Sequence, residues 1–169
     1  GALPIEQPRN VVGKLIGGGA KPRKHRSSLP RGSPHLREEI ARHYKRKYDV
    51  DLDSEKEAIV TMGAKDALAH LMFATIGPGD IVVSPNPAYP IHQYGVIMSE
   101  GHAHMLPMPN AETFLGRLEA LYRESPKAPK MRLISFPHNP KTTWVDLDFM
   151  SKTGEFGRKH GHLDAHGFA

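Results

Sequence analysis

From residue 58 onward, the chain alternates short apolar runs, of the kind that form buried strands, with segments of helical periodicity. The strand-like runs are residues 58–62, 80–84, 103–108 and 131–136. The segments between them carry apolar residues three and four positions apart, which is the period of a helix with one buried face. Strands that alternate with helices are typical of βαβ units. The sequence therefore predicts an α/β fold with a mainly parallel sheet and helices on both faces.

Capping residues mark where several helices begin and end. Ser33 is a good N-cap and Pro34 suits the first helical position, so a helix is predicted to begin there. Asn110 and Asp146 precede two further helical patterns, the second of which ends at Gly161.

Length and composition exclude several classes of protein. A chain of 169 residues is one domain by the usual length relation. Its apolar runs fall far short of the roughly 20 residues that cross a bilayer, and its start lacks the apolar stretch of a secretory signal. Cysteine is absent, which excludes disulfides, thiolate metal sites and cysteine nucleophiles. We expect a cytoplasmic protein with no membrane partner.

Positive charge is concentrated at the start of the chain. Residues 1–48 carry 12 Lys and Arg against 3 Asp and Glu, whereas residues 49–169 carry 11 against 15. The densest basic stretch, residues 21–31, contains no aromatic residue that could stack on bases. We therefore expect residues 1–30 to be an irregular, solvated basic arm without nucleic-acid binding, and residues 31–169 to belong to the folded domain.

Three loops with unusual chemistry are expected at the carboxyl ends of the strands, where ligands bind in parallel sheets. The first, Gly63-Ala64-Lys65, opens a helix directly after a predicted strand. Backbone N–H groups at the positive end of that helix could hold a phosphate, with Lys65 nearby. An ordinary βα turn explains the same residues.

The other two loops each contain a side chain that could contact a planar ligand. Tyr89 lies between prolines in a stiff loop, so its ring could be fixed against such a ligand. Asn139 lies between His138 and Pro140 and could offer an amide donor. A packed tyrosine and an Asn-Pro turn are the alternatives.

Two other ligand motifs are incomplete. Gly13 and Gly18 have the spacing of a P-loop, but Gly19 follows where that motif requires lysine. A histidine-rich run nearly matches the H-x-H-x-D-H zinc signature of the metallo-β-lactamase fold but is one residue out of step; it consists of His160, His162, Asp164 and His166. We expect no metal site.

Four strings of residues resemble, in order and spacing, those of the class I and II pyridoxal-phosphate aminotransferases of fold type I. They are RGSPHLR at residues 31–37, VTMGAKDAL at 60–68, PNPAYPIH at 85–92 and FPHNP at 136–140. The resemblance covers residues 31–149 and is strongest to alanine and LL-diaminopimelate aminotransferases. It implies part of a three-layer α/β/α large domain that binds pyridoxal phosphate.

The resemblance also implies a cofactor site on the loops described above. In the family, residues matching Gly63, Ala64 and Lys65 hold the phosphate of pyridoxal 5′-phosphate. The residue matching Tyr89 stacks on its pyridine ring, and the asparagine matching Asn139 bonds the 3-oxygen of that ring. The implied activity is transfer of an amino group from an amino acid, ranked alanine first and LL-diaminopimelate second, to a 2-oxo acid, normally by a homodimer.

The sequence departs from the family pattern at two important places. Where relatives place an aspartate against the ring nitrogen, this chain has Gly167, and Asp164 is three residues away. The lysine that bonds covalently to the cofactor lies further downstream in the family than Ala169, so no catalytic residue is assigned. Ser27 and Lys141 also stand where the family has other residues. We expect a fragment of the large domain that is inactive alone; a degenerate or fragmentary binding domain without catalysis is the alternative.

Overall fold

The computed structural model describes residues 8–22 and 29–167. The chain divides into two compact units, Gly1–Thr61 and Met62–Ala169. Most of the basic cluster expected in the arm, together with Ser27, lies outside the described residues, as does Ala169.

The first unit contains two helices, α1 over Arg9–Gly19 and α2 over Pro34–Tyr48. The expectation of an irregular segment over residues 1–30 is therefore wrong for α1. Residues 9–16 contain a single glycine, so the glycines that weaken a helix are gathered at its C-terminal end. In α2, the buried Arg37 donates to the Ser54 carbonyl at 2.6 Å and pairs with Glu55 at 3.0 Å.

Residues 58–62 do not form the predicted strand in the described part of the chain. A β-branched run becomes a strand only when another strand accepts and donates its ladder hydrogen bonds. Here the Val60 N–H bonds to the Arg31 carbonyl at 3.3 Å instead. The side chains of Ile59 and Met62 are exposed.

The second unit is built on a four-stranded parallel sheet. Its strands are β1 (Ile81–Asn86), β2 (His102–Pro107), β3 (Met131–Ser135) and β4 (Leu163–Gly167). Their order in the sheet is β2-β1-β3-β4, and all three neighbouring pairs are parallel. The carboxyl ends of β1, β3 and β4 consequently lie along one edge.

Four helices cover the two faces of this sheet: α3 (Ala64–Thr75), α4 (Pro90–Met98), α5 (Ala111–Glu124) and α6 (Leu147–His160). On one face, the α5 residues Phe114 and Leu118 and the α6 residue Phe149 pack with Val83 and Ile134 of the sheet. On the other face, residues of α3 and α4 pack with the sheet in a second core; it consists of Met72, Ile76, Val82, Val96, Met131 and Leu133. The predicted α/β/α layering is confirmed.

The predicted caps of α5 and α6 are also confirmed. The Asn110 side chain accepts a hydrogen bond from the Thr113 N–H at 2.8 Å, and Asp146 accepts one from the Phe149 N–H at 2.8 Å. Gly161 ends α6 in the left-handed conformation, with φ of 67°. Within the described ranges, no helix has the length and apolarity that a membrane crossing requires.

Candidate functional site

A cleft of about 390 Å³ opens at the carboxyl edge of the sheet, entirely within the second unit. Its walls come from the start of α3, from the loop after β1 and the first turn of α4, and from the ends of β3 and β4. The lining residues are Met62, Gly63, Ala64, Lys65, Leu68, Tyr89, His92, Ser135, Asn139 and Gly167. This is the edge at which parallel α/β sheets bind ligands.

All five residues that the sequence singled out for a cofactor line this cleft. They come from three separate segments of the chain and are Gly63, Ala64, Lys65, Tyr89 and Asn139. The structure therefore brings the three chemically unusual loops to one place. Their roles as cofactor contacts stay a prediction.

The N-terminus of α3 forms one wall. Gly63 is its N-cap, with φ of 96°, and no side chain among residues 8–22 and 29–167 caps this helix end. The N–H groups of a helix's first turn have no carbonyl four residues before them, and the helix dipole makes that end positive. A Cβ atom built on Gly63 would have no heavy atom of the described residues within 4 Å, so the backbone is approachable on that side. This end of the cleft suits an anion.

Lys65 and Tyr89 lie beside each other in the cleft. The Lys65 Nζ lies 5.5 Å from the centroid of the Tyr89 ring. The hydrogen bond to Tyr89 and the electrostatic attraction to it raise the pKa of Lys65. Lys65 is exposed and protonated at neutral pH, so it adds positive charge beside the helix end rather than a neutral amine.

His92 is a lining residue that sequence reasoning missed. It is buried, and its ring meets the Tyr89 ring edge-on at 6.3 Å. Burial, and secondarily the neighbouring His138, lower the pKa of His92, so the imidazole is neutral at pH 7. Among the described residues, no group hydrogen-bonds its Nδ1. Its place one turn after Tyr89, in the first turn of α4, is the signal that could have identified it.

The strand ends form the floor of the cleft. Ser135 and Gly167 are the last residues of β3 and β4 and are register partners. A Cβ atom on Gly167 would lie 3.3 Å from the Ser135 Oγ, so the absence of a side chain leaves this part of the floor to the serine. Sequence reasoning did not single out Ser135, although its position at the end of a predicted strand marks it.

Asp164 cannot take the place of an aspartate at position 167. Three residues along a strand correspond to about 10 Å, and alternation puts residues 164 and 167 on opposite faces of the sheet. The Asp164 carboxylate is instead bonded to the buried Arg132 at 2.7 Å and to the His162 Nε2 at 3.0 Å. The departure at Gly167 therefore has no nearby compensation in β4.

Asn139 lines the cleft from the loop after β3. The loop is held by backbone hydrogen bonds between His138 and the residues that follow: the His138 N–H donates to the Thr143 carbonyl at 2.7 Å, and the Thr142 N–H to the His138 carbonyl at 2.6 Å. The Lys141 Nζ donates to the Met108 carbonyl at 2.7 Å. Lys141 is thus engaged with backbone and is not among the residues that line the cleft.

The histidine-rich run near the end of the chain does not converge on one point. His162 lies between Asp164 and Tyr122, whose hydroxyl is 2.7 Å from its Nδ1. His166 accepts a hydrogen bond from the Phe136 N–H at 3.3 Å. Over residues 8–22 and 29–167, no group of three or more His, Asp or Glu side chains is placed to hold a metal ion.

Comparison with known proteins gives a consistent picture. Residues 1–163 match the family model described as "Aminotransferase class I and II". Glutamate-pyruvate aminotransferase AlaC of Escherichia coli (strain K12) is 41% identical over 162 residues, which are 96% of this chain and 39% of AlaC. The LL-diaminopimelate aminotransferase of Moorella thermoacetica is 32% identical over 159 residues, or 94% of this chain and 41% of that enzyme.

Solved structures with a similar fold were also found. The substrate-bound BacF structure from Bacillus subtilis has a TM-score of 0.87 at 29% identity. The match covers 96% of this chain and 41% of the BacF chain. The chain therefore spans about two fifths of the length of the proteins that it matches.

Proposed function

The chain belongs to the class I and II aminotransferases, and from this premise we propose that its cleft binds pyridoxal 5′-phosphate for the transfer of amino groups. The observation that carries the proposal is the convergence of Gly63, Lys65, Tyr89 and Asn139 on one cleft. Its volume of about 390 Å³ lies within the ~300–1,000 Å³ usual for small-molecule sites.

The chemistry of the lining residues fits three parts of this cofactor. The N-terminus of α3 and the charged Lys65 suit its phosphate. The Tyr89 ring offers an aromatic face for the pyridine ring. The Asn139 amide can donate to the ring oxygen.

The cofactor, when bound, supplies an electron sink for negative charge that develops at the α-carbon of an amino acid. The role of this chain's own residues would be to bind and orient the cofactor. Lys65 would supply positive charge for the phosphate, and Tyr89 would offer its ring as a packing surface. Within the described residues that line the cleft, Lys65 is the single lysine, and its raised pKa makes it a poor nucleophile.

For the substrates, we propose alanine as the first amino donor and LL-diaminopimelate as the second, with a 2-oxo acid as acceptor. The proposal is supported by the glutamate-pyruvate activity in the name of the Escherichia coli relative and by the name of the Moorella thermoacetica relative. Because the chain spans about two fifths of these enzymes, the groups that select the substrate in them need not lie in it.

The family resemblance also supports a homodimer, a cytoplasmic location and the assignment of residues 31–169 to the cofactor-binding large domain. We propose all three. Sedimentation velocity on the purified chain tests the dimer, for which we expect twice the mass of one chain.

A second candidate function is a binding domain that keeps the fold without catalysis. The observation that favours it is Gly167 on the floor of the cleft, because pyridoxal-phosphate enzymes place an acidic or basic partner at the ring nitrogen. Transaminase activity of a longer polypeptide that contains this chain would exclude this candidate.

The proposal is tested by titrating the chain with pyridoxamine 5′-phosphate and with pyridoxamine, following ligand fluorescence. Neither probe has an aldehyde, so lysines on the surface do not react with them. We expect the phosphorylated probe to bind at least about tenfold more tightly, since it alone engages the start of α3. Equal affinities would overturn the assignment of the phosphate site.

A further inference from the structure

We propose that the cleft holds the pyridine ring of a bound vitamin B6 phosphate with its nitrogen unprotonated, against a neutral floor made by Ser135 and Gly167. The inference rests on the proposed function, because it presupposes that the phosphate binds at α3. The inference goes further than the proposed function in two respects. It assigns a protonation state to the ring nitrogen, and it assigns the Ser135 hydroxyl as the hydrogen-bond donor to that nitrogen.

The chemistry of the ligand sets its orientation. On the pyridine ring, the phosphate-bearing arm and the 3-oxygen flank the carbon that carries the reactive aldehyde or amine, and the nitrogen lies opposite that carbon. If the arm reaches α3 and the oxygen reaches Asn139, the reactive carbon and the nitrogen point to the two remaining sides. The reactive carbon must face the opening, where substrates arrive, so the nitrogen faces the strand ends.

The described residues that line the cleft at the ends of β3 and β4 are neutral. Ser135 is 6% exposed and offers a hydroxyl, and Gly167 offers only backbone. His92, 4% exposed, also lines the cleft, and its burial favours the neutral imidazole. An unprotonated ring nitrogen accepts a hydrogen bond from a hydroxyl, whereas a protonated one needs a nearby negative charge to be held away from water.

Two carboxylates of the second unit are close in sequence to residues that line the cleft. Both are bonded to other groups of the protein. Asp164 binds Arg132 and His162 on the opposite face of the sheet. Asp66, in the first turn of α3, accepts a hydrogen bond from the Met62 N–H at 3.0 Å and contacts His70 at 3.0 Å. The charged group that does line the cleft, Lys65, is positive and disfavours a second positive charge on the ring.

The protonation state of the ring nitrogen determines how strongly the ligand withdraws electrons. The electron sink is stronger when the ring nitrogen carries a proton, and the usual acidic partner keeps it there. With a neutral floor, this chain retains the ligand but withdraws electrons from it weakly. Introducing a carboxylate at position 167 is therefore expected to change the protonation of the ligand.

The test is nuclear magnetic resonance of pyridoxamine 5′-phosphate labelled with ¹⁵N at the ring and bound to the full chain at pH 7. We expect the ¹⁵N shift of an unprotonated pyridine in the parent and of a pyridinium in Gly167→Asp. Gly167→Asn is the matched control of equal size without charge, and we expect it to keep the shift of the parent. Because the Cβ of either variant crowds the Ser135 Oγ equally, the pair isolates the charge.

Ser135→Ala tests the donor. We expect its affinity for the probe to fall by about 3- to 10-fold, the effect of one hydrogen bond, with the fold unchanged by circular dichroism. A protonated ring nitrogen in the parent chain would overturn this inference while leaving the proposed function intact. Absence of binding by the phosphorylated probe would overturn the proposed function and this inference with it.

Discussion

The Lys65 Nζ lies 5.5 Å from the centre of the Tyr89 ring, although Lys65 lies in the first turn of α3 and Tyr89 directly precedes α4. The pair joins the positive start of α3 to the aromatic wall of the cleft. This arrangement places a cation and an aromatic face on one side of a ligand that carries both a phosphate and a flat ring.

Tyr89 is expected to contribute through its ring. We predict that Tyr89→Ala weakens binding of pyridoxamine 5′-phosphate by about 3- to 10-fold, because a stacked aromatic pair contributes about 0.5–1.5 kcal/mol. Tyr89→Phe keeps the ring and serves as control. Fluorescence titration measures both, and an equal loss in the two variants would assign the effect to the hydroxyl instead.

Gly63 is expected to be required for its backbone conformation. At φ of 96°, a β-branched side chain is strained, so Gly63→Val shifts the start of α3. We predict that the affinity for pyridoxamine 5′-phosphate falls by about tenfold or more. The matched control is Gly77→Val, since Gly77 also has open space around its Cβ position and does not line the cleft. Equal dissociation constants for the two variants would contradict the phosphate assignment.

The 169-residue chain is expected to show no transaminase activity and no selective covalent labelling. Bond formation with an aldehyde needs a neutral amine, but Tyr89 raises the pKa of Lys65, and Lys141 donates to the Met108 carbonyl. The measurement is incubation with pyridoxal phosphate, reduction with borohydride and peptide mapping. Stoichiometric labelling of one lysine, together with amino transfer from alanine, would show this prediction to be wrong.

The Arg132–Asp164 pair is expected to matter for stability. Arg132 is 1% exposed, so Asp164→Asn leaves a buried guanidinium without its counter-charge. We predict a loss of about 2–4 kcal/mol in the free energy of unfolding, somewhat below the value for a fully buried pair because Asp164 is one-third exposed. Urea denaturation checks it. Asp148→Asn, which breaks the exposed pair with Lys152, is the control and should cost less than about 1 kcal/mol.

Stability is expected to fall in mild acid because of three histidines, of which His92 and His138 are buried and His166 is partly desolvated. Burial lowers the pKa of His92, His138 and His166 in the folded chain, so below pH ~6.5 the unfolded chain binds more protons than the folded one. The free energy of unfolding therefore rises with pH through this window and levels off above it. Urea titrations at pH 5.5 and 7.5 measure the difference. His92→Gln should reduce it, and an unchanged difference would mean that His92 does not contribute.

Much of the second unit could be predicted from local signals. The apolar runs that became β1 and β3 are recognisable because strands buried on both faces need continuous apolar residues. Asn110, Asp146 and Gly161 are recognisable because a helix end must satisfy its backbone groups with neighbours in sequence. The cofactor loops were identified from another local signal, because their residue types are unusual at strand ends.

The sequence by itself thus determined the alternation of strands and helices, the helix caps and which loops line the cleft. The tertiary structure alone decided two other matters. Residues 58–62 have strand propensity but form no strand, whereas the polar residues of β4 form one, because a strand exists only where a neighbour completes its hydrogen bonds. The same pairing turns Asp164 towards Arg132 and leaves Gly167 beside Ser135, since the pleat alternates side chains between the two faces.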